Sequence, residues 1–247
     1  MAWCADLMPG RYEYVTLAAS LPYLGRLFTE AHLPISRFRL EARLEQLSAE
    51  HRALLDEVVA AIAWDRVAQL DSDAQIIDRC RQVMGRLGAY PALQEILRAR
   101  LETRTIVAAL RRRRDGAGDA GEIADWGYGR WLGTMRANWS DPAFGLGHFM
   151  PWVGEAQAKL AKDDRIGLER VILSEAFRQM DRLAEGHEFD FEAVVIYVLR
   201  WRLVERWRQY DAERATARLG GLLDAAMDAA PSDGIAAGVF THREIAS

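Results

Sequence analysis

The chain is poor in cysteine and in lysine. Cys4 and Cys80 are the only cysteines among 247 residues, too few for a disulfide framework and suited to a reducing compartment. Lys159 and Lys162 are the only lysines among 32 basic residues, a skew to which we attach no functional weight. A cationic surplus is missing as well. The formal net charge is −4, which excludes a general nucleic-acid or anionic-membrane binder, because counterion release needs a basic surface. No apolar run approaches the ~20 residues of a membrane-crossing helix. The start carries Asp6 and Pro9 and lacks the basic-then-apolar pattern of a signal peptide. These absences lead to the expectation of a cytoplasmic protein without membrane insertion.

The common chemical motifs are missing too. "GAGDAG" is not followed by the Lys-Ser/Thr of a phosphate loop, and Gly-x-Ser-x-Gly does not occur. His32, His51, His148, His187 and His242 are scattered, none with an i+4 histidine or a nearby cysteine, so no metal site is expected. Cys80 sits on an apolar-period helix and reads as a core thiol. Asp163 and Asp164 could hold magnesium, but a second acidic motif is absent, and acids at a helix start, favoured by the dipole, account for them better. His148, among the turns of "GLGHFMPW", is the histidine with most claim to attention, and a structural role suits it better than a catalytic one. The expectation is therefore no catalytic residue, no metal and no cofactor.

What is present is helical periodicity. Half of the residues are hydrophobic and 28% are charged, the profile of a globular domain. Ser36 predicts an N-cap, with Ile35 and Leu40 as a hydrophobic staple. Ser48 predicts the cap of a helix running to Leu70, and Asp71 or Ser72 that of one reaching Leu87. Pro91 predicts the first turn of a long helix ending in "RRRR" at 111–114, where cations suit the dipole. "YEYVTLAASLPYL" allows a short strand or a buried helix end. The fold class read from this is all-α, an irregular multi-helix bundle of repeated helix groups with one possible N-terminal strand. The expected organisation is a helical domain over 1–114, a Gly- and aromatic-rich connector over 115–152, a second helical domain over 153–230 and a tail over 231–247.

The arginine–tryptophan stretch "VLRWRLVERWRQYDAER" (198–214) could be a base-stacking surface or an amphipathic helix. On a helical wheel Trp201, Leu203, Val204, Trp207 and Tyr210 share one half, and Arg202, Glu205, Arg206 and Gln209 the other. The rings are expected in the core, the arginines pairing at i,i+3 as Arg202–Glu205, Glu205–Arg208 and Arg208–Asp211. Arg200 alone falls inside the apolar arc and calls for a buried partner.

"YVTLAASLPYL", "LPISRFRLEARLEQLSAEHRALL", "FGLGHFMPWVGEA" and "HEFDFEAVVIYVLRWRLVERWRQYDAERATARLGGLLDAA" occur in an order that resembles a bacterial family of unknown function encoded beside V/A-type (V-type) ATPase subunits. The resemblance spans about residues 12–230. That family is similar in helical character to the C/d-type component of the same ATPase, a helical funnel that forms the socket between rotor axle and membrane ring. "LRARLE" and "LRWRLVE" are similar to its repeated helices, with Glu102 and Glu205 at the recurring polar position; the asparagine that usually follows is absent. The resemblance implies a non-enzymatic, cytoplasmic component of the central stalk, peripheral to a membrane complex, whose partners are the rotor axle and the membrane ring. An assembly or regulatory factor of that ATPase is the first alternative. An unrelated helical enzyme using His148 and Asp163/Asp164 is the second. Surplus aromatic residues over 126–152 predict either a packed cluster or a partner face, with Trp126, Trp131, Trp139 and Trp152 as the partner-binding candidates.

Overall fold

The computed structural model describes residues 12–28, 33–62 and 72–209. The chain divides into two compact units, Met1–Glu205 and Arg206–Ser247. The described residues form ten helices and no strand. Residues 63–71, Tyr210, Asp211, Cys4 and the expected tail lie outside the described part.

Local chemistry sets the helix starts. Helix α1 (Val15–Ser20) takes up the ambiguous opening as a helix, with Leu17 buried. Helix α2 (Arg37–Leu44) begins where the Ser36 hydroxyl accepts from the Arg39 N–H. Ile35 and Leu40 are both buried there, as a staple requires. Ser48 accepts from the His51 N–H at the start of α3 (Ala49–Ile62). Ser72 accepts from Gln75 at the start of α4 (Asp73–Arg86). Pro91 opens α5 (Pro91–Arg114), whose last turn is the four arginines. Short helices α6 (Ile123–Trp126) and α7 (Leu132–Ala137) carry the connector. Helices α8 (Pro151–Ala161), α9 (Arg165–Ala184) and α10 (191–209) complete the described chain.

The 24-residue α5 is the hub. It packs on α3 and α4 on one side and on α8 and α9 on the other, so packing crosses the domain boundaries expected at 114 and 152. Leu93, Leu97, Leu101, Ile106 and Leu110 follow one another at helical spacing on α5 and are all essentially inaccessible. At ~1.5–3 kcal/mol per large apolar side chain, this burial outweighs any ion pair on the surface.

The 198–214 stretch is helical as far as it is described. Trp201, Leu203, Val204 and Trp207 are buried. The Trp201 indole N–H donates to the Ile35 carbonyl at 3.0 Å. The buried partner expected for Arg200 is not found: its guanidinium pairs with the exposed Asp181 of α9, at 2.8 Å, and lies 4.6 Å over the Phe177 ring, while its Nε is shielded without a hydrogen bond. Glu205 departs from the expected i,i+3 pattern and pairs with Arg37 of α2 at 2.7 Å. That pairing fastens the α2 start to α10 across 168 residues of sequence.

Candidate functional site

The aromatic stretch between α5 and α8 is built on α5. Thr105 accepts from the Tyr128 N–H at 2.8 Å, and Glu102 accepts from both the Arg130 N–H and its Nε, each at 3.0 Å. The Arg130 guanidinium reaches on to Glu95 at 2.6 Å. Glu102 is buried, so these donors offset its desolvation, and the two carboxylates hold the Arg130 guanidinium well above its ordinary range. Gly129 has φ +123°, and a Cβ there would lie 2.3 Å from the Glu102 side chain. Glycine is required at that point by conformation and by space. Glu102, which the resemblance places at a recurring polar position, is here the post to which the connector is tied.

The "RRRR" turn has a second use besides the helix dipole. Arg113 donates to the carbonyls of Trp139 (3.1 Å), Asp141 and Pro142 (2.7 Å) and lies over the Phe144 ring. Arg112 covers Trp126 at 4.4 Å. Trp126 and Trp139 meet edge to face, and the Trp139 indole donates to the Ala117 carbonyl at 3.0 Å. Trp126, Trp139, Phe144 and Trp152 belong to one buried cluster with α5, α8 and α9 residues. Three of the four candidate tryptophans are thus core. Trp131 is half-buried and stacks on Phe149, which is 70% exposed, with His148 edge-on to that ring. The rings this region leaves at the surface are Phe149 and, in part, Trp131. The surplus of rings was readable in the sequence; which of them face inward was not, because tertiary contacts from α5 decide it.

A second set of exposed rings lies elsewhere in the sequence. Tyr23 and Phe38 are 83% and 82% exposed. Tyr23 lies in the loop after Pro22 and Phe38 in the first turn of α2, and α10 fixes the Pro22 loop and the loop leading into α2: the Tyr197 hydroxyl donates to the Pro22 carbonyl at 2.9 Å, and the Trp201 indole donates to the Ile35 carbonyl. Tyr197 and Trp201 are one helical turn apart, so the two loops run side by side on α10.

The remaining candidates have structural occupations. Asp164 caps α9, its carboxylate accepting from the Gly167 N–H at 2.7 Å and from Lys159 at 3.0 Å. These two donors, the backbone N–H first, hold its carboxyl below the usual range. Asp163 is exposed beside Arg165 at 3.6 Å. Cys80 is buried with its thiol directed to the Ala61 carbonyl, and burial pushes its pKa up. That is the setting of an inert core thiol.

Two polar groupings were not foreseen. His51 lies between the hydroxyls of Tyr14 (Nδ1, 2.5 Å) and Tyr90 (Nε2, 2.7 Å) and stacks on Phe191 at 4.2 Å. It joins the ends of α1, α3, α5 and α10. At the start of α10, His187 Nδ1 is 2.7 Å from Asp190 Oδ2 and 3.4 Å from Glu192 Oε2. The sequence signal was "HEFDFE", with carboxylates at i+3 and i+5 from the histidine. A search for histidine or cysteine neighbours passes over it. Comparison with protein-family models, with curated proteins and with solved structures finds no match.

Proposed function

We propose that the chain is a non-catalytic component of a V/A-type ATPase, a central-stalk coupler of the C/d type that joins the rotor axle to the membrane ring at its cytoplasmic side. The reading starts from the ordered segments that resemble the ATPase-linked family. The structural observation that supports it is the exposure of Phe149, stacked on the half-buried Trp131, and of Tyr23 and Phe38, next to backbone anchored to α5 and α10. A coupler needs two binding faces on a stiff body, and exposed aromatic groups held in place lose little entropy on binding. Cross-helix ties supply stiffness: Arg52–Glu41 at 2.7 Å joins α2 to α3, Arg86–Glu57 joins α3 to α4, and Arg104–Asp73 joins α4 to α5. No helix among the described residues is long and apolar enough to cross a membrane, which suits a component peripheral to the membrane sector.

The test is co-purification of the full chain with the other ATPase subunits, using the wild type and two double variants, Trp131→Ala/Phe149→Ala and Tyr23→Ala/Phe38→Ala. Each variant, checked to be folded, is expected to weaken capture of a different partner by at least about tenfold, the effect of losing one central anchor. A wild type that captures none of the ATPase subunits overturns the reading. Capture unchanged in both variants moves the contacts off these two faces.

A further inference from the structure

We propose that His187, Asp190 and Glu192 form a binding site for a divalent transition-metal ion of the zinc type. The three side chains each present one donor atom, imidazole Nδ1 and a carboxylate oxygen from each acid, all within 4.8 Å of one another. Ligands about 2.0–2.2 Å from a tetrahedral zinc stand roughly 3.3–3.5 Å apart. The His187–Glu192 separation of 3.4 Å already has that value, and the His187–Asp190 contact of 2.7 Å has only to open slightly. One nitrogen and two oxygens leave a fourth position for water, a donor set that suits zinc or manganese better than calcium.

An independent observation separates this cluster from an ordinary capped helix start. The Glu192 side chain is about nine-tenths buried. One of its oxygens faces His187, and the other, Oε1, is shielded from solvent and has no hydrogen-bond partner. A shielded carboxylate oxygen without a full-strength hydrogen bond is unfavourable. Burial accordingly pushes the Glu192 carboxyl up, although His187 and the Ala92 N–H of the α5 first turn pull the other way. A cation bound between the two acids would supply the missing charge.

The surroundings meet the other requirements of a metal site. Asp190 is oriented by a second bond, its Oδ1 accepting from the Ala193 N–H at 2.8 Å. Of the three ligands His187 alone borders a cleft of about 220 Å³ between the Pro22 loop, the α9 end and α10, so an ion would approach from the imidazole side. Glu188 also lines that cleft, and Arg200, the cation on its wall, is engaged by Asp181. An ion at Nδ1 needs the lone pair of that nitrogen, so with the ion bound the neutral ring carries its proton on Nε2. The proposal stands apart from the ATPase reading, since neither ring face includes these residues.

Calorimetric titration of the full chain with zinc chloride near neutral pH tests it. One ion per chain is expected, bound at least about tenfold more weakly by His187→Gln and by Glu192→Gln. Absence of zinc uptake by the wild type overturns the proposal. So does uptake that both folded variants reproduce within about twofold. Should a variant fail to fold, carbethoxylation of the wild-type histidines, mapped by peptide mass, decides the question. Zinc is expected to protect His187, and modification of His187 undiminished by zinc overturns the site.

Discussion

Two polar contacts of α10 each tie distant parts of the chain, and each gives a measurable effect. Trp201 fills the space under the α2 lead-in and has its indole N–H satisfied by Ile35. Trp201→Ala therefore removes a large packed ring and orphans a carbonyl, with an expected loss of about 3–5 kcal/mol in denaturant unfolding. Tyr197 reports through pH. Burial pushes its phenol up to about 12 from an ordinary value near 10, with Arg43 and Arg200 nearby pulling down. Below pH ~10 the group is neutral in both states and its contact with Pro22 is fully present. As pH rises through the window up to the folded value, the unfolded chain ionises first, so this contribution to stability is lost. Tyr197→Phe should show a shallower decline of melting temperature between about pH 10 and pH 12. An unchanged slope would mean that Tyr14 and Tyr90, whose phenols are also raised by burial, dominate that window.

At the scale of elements, what could be read from sequence was what neighbours in the chain decide. Ser36, Ser72 and Asp164 cap their helices because an N-cap bond reaches only three residues ahead. Pro91 marks α5 for an equally local reason. Asp164→Ala should accordingly lower the melting temperature, chiefly through the lost cap to Gly167. The α9 start should fray first in amide exchange. What could not be read depends on groups far apart in sequence: Glu205 choosing Arg37, Arg113 gathering the carbonyls of 139–142, His51 between two tyrosines. Periodicity says that a face is apolar, not which element covers it. For the same reason the sequence left open whether the rings of 126–152 pack as a cluster or face a partner, and Trp126, Trp139 and Trp152 are packed inside. Gly129 belongs with this group. Its positive φ and its closeness to Glu102 make Gly129→Ala clash with the connector's anchor. A loss of about 1–3 kcal/mol is expected, with loosening of residues 127–131 ahead of the rest.

For the molecule as a whole, the all-α architecture was legible, since nearly every segment keeps the helical period, and the structure bears it out. The partner-binding role proposed above rests on the resemblance and on where the exposed rings fall. A coupler that works in every turn of a rotor must be a stoichiometric part of the finished complex, whereas an assembly factor leaves it. The decisive measurement is the copy number of this chain, by quantitative mass spectrometry, in ATPase purified intact through a tag on another of its components. One copy for each copy of the rotor axle is expected; absence of the chain from the intact, active complex would contradict the coupler role.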